Sequence, residues 1–64
     1  MKLWIARDDT TRHEQLFGYY HKPRKVNNYF LGNTCCTFSK ELFPEITFNN
    51  SPMEVELKLI QNEN

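Results

Sequence analysis

Residues 41–57, ELFPEITFNNSPMEVEL, decide the fold. The run continues to Ile60, and over residues 53–60, MEVELKLI, it alternates cleanly. Met53, Val55, Leu57 and Leu59 fall on one side, and Glu54, Glu56 and Lys58 on the other. A helix would scatter those four apolar residues around its axis, so the period is that of a strand with one apolar face. Just before it, Asn49-Asn50-Ser51-Pro52 turns the chain, and Glu45–Phe48 reads as a short strand. Further back, Ser39 is a good N-cap, and Lys40–Phe43 fit one helical turn, closed off by Pro44. A strand with one apolar face needs a partner, because an isolated hairpin is marginal in water.

The partners lie upstream. Residues 2–7, KLWIAR, read as a first strand, and Asp8–Thr11 as a polar turn. Residues 12–20, RHEQLFGYY, read as a second strand, in which Gly18 marks a bulge or a close backbone approach. His21–Lys25 form a basic connection around Pro23, which cannot donate to a ladder. Residues 26–31, VNNYFL, give a third strand weakened by two asparagines. Gly32-Asn33 signals a turn, and residues 34–38, TCCTF, a short fourth strand. The expected fold is mostly β: a small antiparallel meander or partly open barrel with about one helical turn near residues 39–43. Residues 1–60 are expected to form a single domain, and residues 61–64 a frayed tail.

With 64 residues, a chain buries only about 60% of its unfolded surface, so the core must be rich in large rings. The supply is Trp4, Phe17, Tyr19, Tyr20, Tyr29, Phe30, Phe38, Phe43 and Phe48. Eight Lys/Arg balance eight Asp/Glu, which argues against a dedicated nucleic-acid or membrane-surface protein. The charge is nonetheless lopsided: seven cations and three carboxylates in residues 1–40 give +4, and one and five in residues 41–64 give −4. No apolar run approaches the ~20 residues of a membrane span, and the start lacks the apolar stretch of a secretory signal. Two adjacent cysteines make no disulfide framework, so a reduced, cytoplasmic protein is expected.

Leu42-Phe43-Pro44-Glu45-Ile46-Thr47-Phe48, then Asn50-Ser51-Pro52 and Val55-Glu56-Leu57, resembles a recurrent C-terminal pattern. It is similar to that of short uncharacterised proteins of gut bacteria, their phages and mobile elements. An opening strand like Lys2–Asp8 recurs in the same group. The resemblance covers about a third of the chain, at its two ends, and residues 12–37 have no counterpart. It implies a kind of protein, and no site.

Cys35-Cys36 is the first place to look for chemistry. Neighbours on a regular strand point to opposite faces, so the two thiols are not expected to share a metal, and a disulfide between them would be strained. Zinc prefers C-x₂₋₄-C spacings with further ligands elsewhere, and His13 and His21 match no such motif. No metal or other cofactor is expected, and a domain this small leaves little room for a catalytic cleft, so the chain is read as a non-enzyme. The candidate binding patch is Tyr19, Tyr20, His21, Lys22, Arg24, Lys25 and Tyr29. Cations for phosphates and rings for bases are what single-stranded nucleic acid requires. The leading expectation is a non-enzymatic accessory or interaction protein with a protein partner, using an edge near Val26–Leu31. A β-module binding single-stranded nucleic acid is the alternative. Homodimerisation would support a marginal core.

Overall fold

A computed structural model describes residues 1–9 and 15–58. Six strands make up the regular structure: β1 (Lys2–Arg7), β2 (Leu16–Tyr19), β3 (Arg24–Val26), β4 (Tyr29–Leu31), β5 (Thr34–Phe38) and β6 (Met53–Glu56). Four form an antiparallel sheet in the order β5-β2-β1-β6, and β3 and β4 form a separate two-stranded ribbon. The architecture is mostly β and antiparallel, as the alternation predicts. The larger sheet is open and does not close into a barrel.

Both faces of the larger sheet are covered. Ile5 pairs with Gly18 and Met53, Leu3 with Val55, and Leu16 with Phe38. These positions share one face, where Leu3, Ile5 and Leu16 are buried together with Ile46. Phe38, Phe43, Val55 and Cys35 pack around them. The opposite face carries Trp4, Ala6, Phe17 and Tyr19, and it is closed by Phe30 of the ribbon and by Phe48. Phe30 and Phe48 lie 5.7 Å apart between ring centroids, as do Phe38 and Phe43 on the other side.

Three expected elements take another form. The single strand expected over residues 26–31 is a hairpin: Val26 pairs with Tyr29, and Asn27-Asn28 form its two-residue turn. Asn27 takes a left-handed φ of 55°, a conformation that asparagine tolerates better than most residues. The strand expected at Glu45–Phe48 and the helical turn expected near residues 39–43 are both turns, and no helix occurs among the described residues. The cause is Arg7.

Alternation along β1 points Arg7 to the same face as Leu3 and Ile5, beneath the segment that crosses it. Its Nε donates to the carbonyl of Ile46 at 2.6 Å, Nη1 to that of Lys40 at 2.8 Å, and Nη2 to those of Leu42 and Phe43 at 3.0 and 3.2 Å. Those carbonyls converge on one cation and so cannot line up along a helix axis. The N–H of Leu42 closes a turn on the Ser39 carbonyl, and Phe43 is left with a φ of 51°. Below this, the Ser51 hydroxyl accepts the Arg7 N–H at 3.0 Å and donates to the Thr47 carbonyl at 2.5 Å. Asn50 accepts from the Thr47 N–H at 2.8 Å and donates to the Glu45 carbonyl at 2.8 Å.

Of the expected second strand, residues 12–14 lie outside the described region, as do Thr10 and Thr11 of the expected turn, Leu59, Ile60 and the tail at 61–64. Gly18 fulfils the first of its readings, and the close approach to it comes from side chains, not from backbone. A bulge lies beside it, and a Cβ there would come within 2.6 Å of the Cys36 sulfur.

Lysine cannot reproduce a planar fork of donors. Arg7→Lys is expected to strand at least two of the four carbonyls, at a cost of about 2 kcal/mol. Urea unfolding should show a lower midpoint with the slope unchanged. An unchanged midpoint would mean that water replaces the guanidinium without loss.

Candidate binding surface

The ribbon register sorts the candidate patch residues into two groups. Lys25 pairs with Phe30, Val26 with Tyr29, and Arg24 with Leu31. Phe30 is buried, so Lys25 shares the inward side, and Arg24, Val26, Tyr29 and Leu31 share the outward side. The Lys25 ammonium sits 4.3 Å from the Phe48 ring centroid and 5.6 Å from that of Phe30. It caps these rings through cation–π attraction. Lys22 does the same over Trp4 at 5.5 Å.

Tyr19 is only 1% exposed, with its ring edge against Phe17, and so takes no part in a surface. Burial, with a smaller contribution from the Asp8 charge, pushes its phenol up to about 12, and at neutral pH it stays uncharged. Tyr20 and Tyr29 are 60% and 39% exposed, and His21 is exposed as well. Of the seven expected patch residues, Arg24 and Tyr29 share the outward side of the ribbon and Tyr20 stands exposed at the end of β2. Lys22 and Lys25 are engaged with rings, and Tyr19 belongs to the core.

The expected patch leaves out Leu31, which is 51% exposed, and Val26 beside it, although both lie in the Val26–Leu31 segment expected as an edge. Their signal was present: Asn27-Asn28 between two β-prone pairs fits a two-residue hairpin, which puts Val26, Tyr29 and Leu31 on one side.

The ribbon is fixed to the larger sheet by the segment after β1. The Phe30 N–H donates to Oδ1 of Asp8 at 3.1 Å, and the Asp9 N–H to the Asn28 carbonyl at 2.9 Å. Burial raises the Asp8 carboxyl above its ordinary value, against the opposing pull of the Phe30 N–H.

A cleft of about 370 Å³ opens between Arg7, Asp8 and Asp9 on one wall and Lys40, Glu41 and Thr47 on the other. Its strongest donor group, the Arg7 guanidinium, is already committed to backbone carbonyls. At its rim the Ser39 hydroxyl donates to the Glu41 carboxylate and holds it below its ordinary range.

The cysteines depart from expectation. Gly18 pairs with Cys36 and Tyr19 with Thr34, so Cys35 is an extra residue on β5, a β-bulge. The bulge turns both thiols to the same face and brings their sulfurs within 3.5 Å. The Cys36 thiol is raised above its ordinary value, chiefly by burial and then by Cys35, with the Gly18 backbone opposing. That is the reverse of an activated nucleophile. Among the described residues no group of three or more His, Cys, Asp or Glu side chains is placed to hold a metal. No helix there is long and apolar enough to cross a membrane.

In comparisons with protein-family models, curated proteins and solved structures, nothing matches this chain.

The Asp8 carboxyl, raised on folding, favours the fold when protonated. Its contribution is full below its unfolded value and is lost as pH rises through the folded one. Asp8→Asn keeps an acceptor for the Phe30 N–H without the charge. The thermal midpoint at pH 7 should rise by up to a few degrees, while that at pH 3 stays where it was. Equal shifts at both values would separate Asp8 from the pH dependence.

Proposed function

We propose that this is a non-enzymatic accessory protein that binds a protein partner through the outward side of the β3–β4 ribbon. One observation carries the reading: Val26, Tyr29 and Leu31 stand together on a surface whose reverse side is packed. Both faces of the larger sheet already have their cover, from the ribbon and Phe48 on one side and from Phe43 and Ile46 on the other. An apolar cluster bordered by an arginine has the composition of an interface centre, where tyrosine and arginine are enriched. Tyr20 lies exposed at the end of β2. The ribbon is short and fixed by Asp8 and Asp9, so its side chains are presented with little ordering left for binding to demand. The likeness of the chain's ends to short proteins of gut bacteria, phages and mobile elements accords with an accessory role.

Single-stranded nucleic acid is the second reading, and Arg24, Tyr20 and Tyr29 are what favour it. The loss of Tyr19 to the core and of Lys25 to the rings of Phe30 and Phe48 counts against it.

The purified 64-residue chain, immobilised and exposed to lysate, should retain a specific protein at near one-to-one ratio. Leu31→Glu should abolish that capture while leaving the unfolding midpoint within a few tenths of a kcal/mol, as for most surface changes. Capture undiminished by Leu31→Glu would remove the ribbon from the interaction. Oligonucleotide binding that weakens steeply with salt and drops in Arg24→Ala would instead establish the nucleic-acid reading.

A further inference from the structure

The two thiols lie on the face of the larger sheet opposite the ribbon, so the following is independent of the interaction surface. β5 is an edge strand of the sheet. Cys35 leans on the cluster of Leu3, Ile5, Leu16 and Ile46 and is partly covered, whereas Cys36 is exposed. The Cys36 sulfur occupies the space over Gly18, where any larger residue would intrude: an added Cβ would meet that sulfur at 2.6 Å. Three features therefore combine: a bulge that turns neighbouring side chains the same way, a glycine opposite that makes room, and access from solvent.

We propose that Cys35 and Cys36 form a two-thiolate chelate for a soft, thiophilic trivalent centre, for which a monosubstituted arsenic(III) compound is the simplest ligand. The geometry decides among the alternatives. The sulfurs are 3.5 Å apart. Bonds of about 2.3 Å, the length of zinc–thiolate bonds, meeting at roughly 100°, would hold two sulfurs about 3.5 Å apart. A linear two-coordinate ion with bonds of that length would need them about 4.6 Å apart. Structural zinc asks for four protein ligands, and the described residues place no third His, Cys, Asp or Glu with this pair. A disulfide needs about 2.0 Å between sulfurs, and adjacent Cα atoms, about 3.8 Å apart, fall short of its usual span. A pyramidal centre fits the observed separation as it stands.

The reaction is a condensation without redox change. An arsenoxide, R–As=O, meets two thiols. Two As–S bonds form, the arsenic–oxygen bond breaks, and both thiol protons leave with the oxygen as water. Arsenic stays trivalent, and its organic substituent fills the third position towards solvent.

Phenylarsine oxide is the probe, added to the full chain reduced with a phosphine. Intact mass should show one arsenical per chain, with both thiols blocked, surviving excess glutathione and removed by 1,2-ethanedithiol. Cys35→Ser and Cys36→Ser should each retain less than a tenth as much after the glutathione wash. Because the site belongs to the folded state, the bound arsenical should also raise the urea midpoint. Equal retention by either single variant, or loss of the arsenical from the parent to glutathione, would overturn the chelate. A midpoint unchanged or lowered on binding would overturn the claim that the fold builds it.

Discussion

A single guanidinium organises the longest irregular stretch of this molecule. Fourteen residues lie between Phe38, where β5 ends, and Met53, where β6 begins, and they contain no strand or helix of their own. Such a stretch must find partners for its backbone carbonyls before it can lie on an apolar surface. Arg7 supplies four of those partners from the end of the central strand. Its aliphatic stem leaves the face occupied by Leu3 and Ile5, so one side chain joins the core to its lid. Ile46 is both an acceptor for Arg7 and, at 2% exposure, a core residue. The hydrogen bond and the apolar contact therefore stand or fall together.

The rest of the architecture is a solution to thinness. A lone four-stranded sheet has two faces to cover, and a chain of this size cannot lay a second full sheet on either. One face receives the loop that Arg7 holds. The other receives Phe30, set on a ribbon pinned by Asp8 and Asp9, together with Phe48 from the end of that loop. Neighbouring residues of one turn-proximal segment thus serve opposite sides: Arg7 the loop, Asp8 and Asp9 the ribbon. Lysines complete the cover on the ribbon side, with Lys22 over Trp4 and Lys25 over Phe48, shielding ring surface that would otherwise face water.

Alternation made β1 and β6 legible, because period 2 survives wherever one face is buried, and TCCTF coincides with β5. What alternation could not show were contacts made by side chains across the fold. Glu45–Phe48 have good strand propensity, yet Asn50 and Ser51 bind their backbone into turns. Lys40–Phe43 have a helical turn's composition, yet a distant arginine takes their carbonyls. The surface suffered in the same way. A basic run looks like one patch in sequence, whereas strand register sends Arg24 outward and Lys25 inward. The adjacent cysteines were assigned to opposite faces by the rule for regular strands, and the bulge opposite Gly18 is where that rule lapses. Gly18 itself announced an irregularity without saying which strand would bear it.

The pairing of β1 with β6 brings Leu3 opposite Val55, nearly the whole described length apart in sequence. A nascent chain that has emerged only as far as Phe38 can form three of the four strands of the sheet, β5-β2-β1, but β1 then has a bare flank. It also lacks Phe43, Ile46 and Val55 over its inner face, and Arg7 has no carbonyls to gather. Closing so wide a loop late makes folding slow for its size. Until it closes, the exposed flank is a template for another copy's strand, so crowded synthesis favours exchange of β6 between neighbouring molecules.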